Sequence, residues 1–183
     1  MLFRSQQAFR SRRPRPPLDP ATFRALAVHY VGRYATTQVR LRQYLERKLR
    51  ERGWDDSAPH PDLLEMVSEF ARLGYVDDDI FASTRVTSLL KRGYGAKRLN
   101  FALRHAGIPA EKAESAAQID ADSAYQAAMV FARRKRLGPF GPPLEDPRVR
   151  TRAVAAFVRA GHSYEIVRNI LDMDFDDRAF SDI

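Results

Sequence analysis

RLRQYLERKLRERG (40–53), YGAKRLNFALRHAG (94–107) and RVRTRAVAAFVRAG (148–161) each end on a glycine, and the glycines stand 54 positions apart twice, from 53 to 107 and from 107 to 161. Stepping back from each glycine aligns the apolar columns: Leu45 with Leu99 and Ala153, and Leu49 with Leu103 and Phe157. Each column is the inner face of a helix that stops at its glycine, because glycine enters the left-handed turn of a helix end at little cost. The spacing therefore predicts a repeat. A helix precedes each quoted segment and another follows, which gives three units of three helices over residues 20–75, 76–119 and 120–175. A unit of about fifty residues with one apolar face buries it against its neighbours, the logic of a helical array. The expected fold class is all-α, three tandem three-helix repeats in an elongated, curved stack.

The flanking segments carry the same helical period. Phe23, Leu26, Ala27, Tyr30, Val31 and Tyr34 fall on one face, and Leu63, Leu64, Val67, Phe70 and Ala71 make a further stripe between Pro61 and Gly74. Alternation with a period of two is not sustained, so no sheet is expected. Asp77 reads as a cap with Asp78 and Asp79 in the first turn, where the helix dipole favours anions. Pro109 and Pro147 read as first helical positions, the latter behind a capping Asp146, and Ser163 caps a last helix bearing Ile166, Val167, Ile170 and Leu171. Gly138-Pro139-Phe140-Gly141-Pro142-Pro143 breaks any helix, and its Phe140 is either a partner contact or a plug into its own core.

Residues 1–19 form an expected flexible basic arm: five arginines and no acid before Asp19, with Pro14, Pro16 and Pro17 opposing a helix. It has no apolar core and is not read as a signal peptide. Residues 176–183 are expected to be an acidic tail. Lys and Arg number 31 against 23 Asp and Glu, a net charge of +8, which favours a polyanionic partner over a neutral one. There is no cysteine, which excludes disulfides and thiolate chemistry and suits a cytoplasmic location. No stretch is apolar for long enough to span a membrane.

Positive charge is concentrated rather than spread. The middle helix of the first unit carries Arg40, Arg42, Arg47 and Arg50 as candidate contacts, and the second unit carries Lys91, Arg92, Lys97, Arg98 and Arg104. Lys97, Arg98, Phe101, Arg104 and His105 share the outer face of a helix whose inner face is Leu99, Ala102, Leu103 and Ala106. An outward Phe101 among cations stacks on a base or fills a partner's pocket; alternatively it packs on the neighbouring unit. Arg133, Arg134, Lys135 and Arg136 end the first helix of the third unit, where cations also complement the dipole. Stacked units would align these clusters into one strip along a single- or double-stranded DNA backbone, without reading base sequence.

Catalytic chemistry is not expected. His29, His60, His105 and His162 lie far apart, without metal-ligand spacing, and read as caps and surface residues. Gly93-Tyr94-Gly95 lacks the third glycine and the strand of a dinucleotide fingerprint. Asp172, Asp174 and Asp176 begin like a calcium loop, but Asp177 stands where its glycine is required. The expectation is no cofactor, no metal and no enzyme.

Four segments resemble the RecX family. RYATTQVRLRQYLERKLRERGW (33–54) resembles its opening signature, LGYVDDDIFA (73–82) its Leu-Gly-Tyr-x-Asp junction, RGYGAKRLNFALRHAGIP (92–109) its second-repeat helix, and FARRKRLGPF (131–140) a segment of alphaproteobacterial members. The similarity runs in order from 21 to about 171. Where the family often has a Ser-x-x-Glu capping box, this chain has Thr36, Thr37 and Arg40. The resemblance implies three tandem three-helix repeats, in agreement with the spacing above. It also implies a non-enzymatic regulator that lies along the RecA recombinase filament on DNA and mainly inhibits its ATP hydrolysis and strand exchange; a monomer is expected. The other reading open at this point is a non-specific nucleic-acid-binding repeat that competes for DNA.

Overall fold

The computed structural model describes residues 16–173, and in them the secondary structure is helical throughout, apart from one isolated bridge between Leu18 and Trp54. The helices are α1 (Pro20–Arg33), α2 (Gln38–Arg52), α3 (Leu63–Arg72), α4 (Asp78–Lys91), α5 (Ala96–His105), α6 (Ala110–Ala116), α7 (Ala121–Lys135), α8 (Pro147–Ala160) and α9 (Tyr164–Leu171). A single 3-10 turn, Gly138–Phe140, separates α7 from α8. The all-α expectation holds.

The helix starts follow from their caps. Asp19, Thr37, Asp62, Asp77, Asp120, Asp146 and Ser163 each accept a hydrogen bond from a first-turn N–H. Such a cap contributes about 1 kcal/mol. Thr37 therefore does alone, toward the Arg40 N–H, what a capping box would share between two residues. Pro147 opens α8 as expected, whereas Pro109 stands one residue ahead of α6, at its cap.

The apolar side chains gather in chain order. Leu18, Phe23, Ala27, Leu41, Leu45, Val67, Phe70 and Val76 form one buried cluster under α1–α3. Two small clusters lie under α4–α6, centred on Leu103 and Leu99. A fourth joins α7, α8 and α9 around Phe131, Phe157, Val167 and Ile170. Phe140 is buried in that last cluster, so the Gly-Pro loop plugs its own core. Leu64, expected on an inner stripe, is exposed: α3 meets α2 through Leu63, Met66, Val67 and Phe70.

Residues 1–15 of the expected arm and 176–183 of the expected tail lie outside the described residues. Residues 16–19 depart from the arm reading. Leu18 is fully buried, its N–H donates to Gly53 O at 3.0 Å, and the Asp55 N–H donates back to Leu18 O at 2.9 Å. Arg52 donates twice to Pro16 O. A lone leucine between prolines and a helix has no period to declare it, and only the pocket beside Phe23 and Trp54 does so.

The middle helices α2, α5 and α8 queue head to tail. The C-terminus of α8 meets the N-terminus of α5: the Gly95 N–H donates to Ala160 O at 2.9 Å and the Lys97 N–H to Gly161 O at 3.2 Å. The C-terminus of α5 meets the N-terminus of α2 in turn: the Thr37 hydroxyl donates to Ala106 O at 2.5 Å. Negative helix ends thus face positive ones. The glycines that end α5 and α8 carry positive φ, 90° at Gly107 and 98° at Gly161, and a methyl on either would collide with the helix it abuts, at Val39 and Arg98 respectively.

Candidate nucleic-acid interface

The cations separate into two environments. On α2 three of the cations are ion-paired: Arg42 with Glu46 at 3.4 Å, Arg47 with Glu51 at 3.5 Å, and Lys48 also with Glu51. Arg47 further lies over the Tyr44 ring, 5.5 Å from its centroid, and Arg50 is exposed. Arg40 turns away from this group and sits over Phe81 of α4, 5.6 Å from the ring centroid.

The second environment forms where α4, α5 and α7 meet. Lys91 and Arg92 end α4, Lys97 and Arg98 open α5 just after Gly93-Tyr94-Gly95, and Arg133, Arg134, Lys135 and Arg136 end α7. All are exposed. Among the described residues Lys91, Arg92, Lys97, Arg98, Arg104, Arg134, Lys135 and Arg136 join no ion pair. Arg134 donates to Arg92 O at 2.9 Å, which closes the C-terminus of α4. Arg92 and Arg134 both lie over Tyr94, 5.5 and 5.9 Å from its centroid. Arg133 lies over Phe140 at 5.3 Å. An aromatic ring beneath a guanidinium holds it in place and leaves its N–H edge for an anion.

Phe101 is 57% exposed. Its ring stacks on His105 at 6.0 Å and 4°, with Arg98 5.2 Å from its centroid. That is the outer face read from the sequence, side by side on α5 with Lys97 and Arg104. Arg104 and Phe101 therefore continue the α4–α5–α7 cluster along one helix, whereas the α2 group is not brought into contact with it.

Gly93-Tyr94-Gly95 explains why these ends converge. A methyl on Gly93 would reach Phe131 N at 2.8 Å, and one on Gly95 would reach Gly161 O at 2.5 Å. The glycines let the α4–α5 turn lie directly on α7 and α8, and Tyr94 packs against the cores of both groups. Sequence reasoning missed Tyr94 as the shared platform. The signal was an aromatic between two glycines that no phosphate-binding motif accounts for.

His162 corrects another expectation. It is buried, not at the surface: its ring touches Phe131 and Phe157, and its Nε2–H donates to Gly93 O at 3.1 Å. Burial lowers its pKa from the ordinary histidine value, opposed in part by the Gly93 carbonyl. His29, His60 and His105 are exposed. No group of metal-ligating side chains forms among the described residues. Asp172 instead pairs with Arg150 and Arg168. No helix of the described residues is long and apolar enough to cross a membrane.

No profile of a known protein family matches the chain. Individual proteins do. The chain is 31% identical to "Regulatory protein RecX" of Myxococcus xanthus (strain DK1622), over 88% of this chain and 89% of that one. It is 28% identical to the protein of that name from Agrobacterium fabrum (strain C58), over 80% of each, and 30% identical to that of Mycobacterium sp. (strain JLS), over 79% of each. With that identity sustained across nearly the whole of both sequences, and with helices α1 to α9 among the described residues as the resemblance implied, this chain belongs to the RecX family of regulatory proteins.

Proposed function

We propose that the protein is a non-enzymatic, cytoplasmic regulator that binds a RecA-type recombinase filament on DNA as a monomer and restrains its ATP hydrolysis and strand exchange. Family membership supports the regulatory part of this reading. The observation that carries the DNA part is the cluster of exposed cations where α4, α5 and α7 meet, of which Lys91, Arg92, Lys97, Arg98, Arg104 and Arg134 join no ion pair among the described residues. Units 20–75, 76–119 and 120–175 act as three modules, and the last two jointly present Lys91, Arg92, Lys97, Arg98, Arg104 and Arg134 to phosphates. Phe101 offers an aromatic face beside them. Several weak contacts on one body add by linkage, so a filament state that binds the chain better is favoured.

The test is recombinase ATPase measured with substoichiometric chain and single-stranded DNA in excess. Inhibition that persists is the expected result. Inhibition that disappears as DNA is added assigns the effect to competition for DNA instead. Replacing Arg92, Lys97 and Arg98 with Ala should lower the salt slope of DNA binding by about one unit for each phosphate no longer neutralised. An unchanged slope removes this cluster from the interface.

A further inference from the structure

Between α2 and α4 lies a cavity of about 450 Å³, walled by Thr36, Arg40, Tyr75, Ile80, Phe81 and Arg85 and reaching along α4 to Ser88, one turn short of the cations that end that helix. Its composition is unusual for this surface. Arg40 and Arg85 make no ion pair among the described residues, in contrast to Arg42 and Arg47 on α2. The one acid on the wall, Asp77, caps α4, its Oδ1 accepting from the Asp79 and Ile80 N–H groups. Thr36 is only 6% exposed, and its hydroxyl has no hydrogen-bond partner among the described residues, a condition that normally costs stability and so calls for an explanation. Ile80 and Tyr75 are large apolar side chains left 65% and 56% exposed on the same wall.

We propose that this cavity is a docking site for a short polypeptide segment carrying a carboxylate beside an aliphatic or aromatic side chain. The carboxylate lies between the guanidinium groups of Arg40 and Arg85, which suit planar anions, and the apolar side chain covers Ile80 and Tyr75. A nucleotide fits less well. Phe81 already carries the Arg40 guanidinium over its ring, which leaves Tyr75, tilted against Phe70 at 5.5 Å, as the one exposed ring on the wall. A sugar–phosphate chain would also leave the apolar wall uncovered. The inference goes beyond the recombinase reading in its chemistry, a peptide in a part-apolar cavity and not a phosphate chain on exposed cations, and either can fail alone.

Fluorescence polarisation with a labelled Glu-Leu-Asp-Phe-Glu-Leu peptide at about 150 mM salt, near physiological ionic strength, tests it on the full chain. Saturable binding is expected, weakened at least tenfold by Arg85→Ala and at least fivefold by Ile80→Ser; both side chains are exposed, so the fold persists, and a thermal melt checks this. A peptide with its Leu and Phe replaced by Ser should bind at least fivefold more weakly. Equal binding of that peptide, no saturable binding, or a deoxythymidine oligomer whose affinity falls equally with Arg85→Ala would overturn the proposal, the last by making the cavity a phosphate site.

Discussion

The two places where successive groups of helices join share a plan and differ in chemistry. At each, the C-terminus of one middle helix lands on the N-terminus of the middle helix before it. Between α8 and α5 the connection is main chain to main chain, through Gly95 and Lys97 to Ala160 and Gly161. It is backed by Tyr94, by Phe131 against Gly93 and by the buried His162. Between α5 and α2 a side chain intervenes. The Thr37 hydroxyl accepts from the Arg40 N–H and donates to Ala106 O, while Asp78 accepts from the Gln38 N–H. Among the described residues no buried cluster spans that second junction, and a cavity opens beside it. A glycine cap lets backbones touch, whereas a threonine cap keeps them a side chain apart. The second and third groups are thus welded into one block that carries the main cation cluster, and the first group is attached more lightly.

The comparison can be broken most forcefully at Gly95. Its φ of −88° suits any residue, so Gly95→Ala isolates the close approach to Gly161 O. Overpacking against backbone should cost about 3 kcal/mol in urea denaturation. A loss below about 1 kcal/mol would show that the weld is soft. At the lighter junction Thr37→Val removes a cap and a buried hydrogen bond, with about 2 kcal/mol expected and most of it restored by Thr37→Ser. If Val and Ser behave alike, the hydroxyl does not hold the two groups together.

The finest probe is pH. His162 has its pKa lowered by burial, so the unfolded chain binds the proton more readily than the folded one. Its contribution is complete above the unfolded value of about 6.5 and is lost as pH falls from there through the folded pKa. Thermal melts should therefore decline below about pH 6.5, and His162→Gln should flatten that decline. A variant whose melting follows the native pH profile would place the sensitivity elsewhere.

Much of the fold was legible in the order of residues. The glycine spacing announced the helix ends, and aspartate, serine and proline announced the starts, because caps and left-handed turns are local requirements met within a few residues. The outer face of α5, with Lys97, Arg98, Phe101, Arg104 and His105, followed from helical period alone. The pairing of α2's arginines with Glu46 and Glu51 was also within reach at i,i+4 spacing, and it separates that group from the others.

What the chain alone determined, then, was which residues are helical, where each helix turns inward and which segments are rich in cations, since all of these depend on neighbours in sequence. Only the tertiary structure decided that α2, α5 and α8 meet end to end, that Gly93 and Gly95 are there for backbone contact, that Leu18 and His162 are buried, and that Arg40 leaves the cations for a cavity. Those outcomes depend on atoms tens of residues apart along the chain, and local periodicity carries no information about which surfaces will come to face each other.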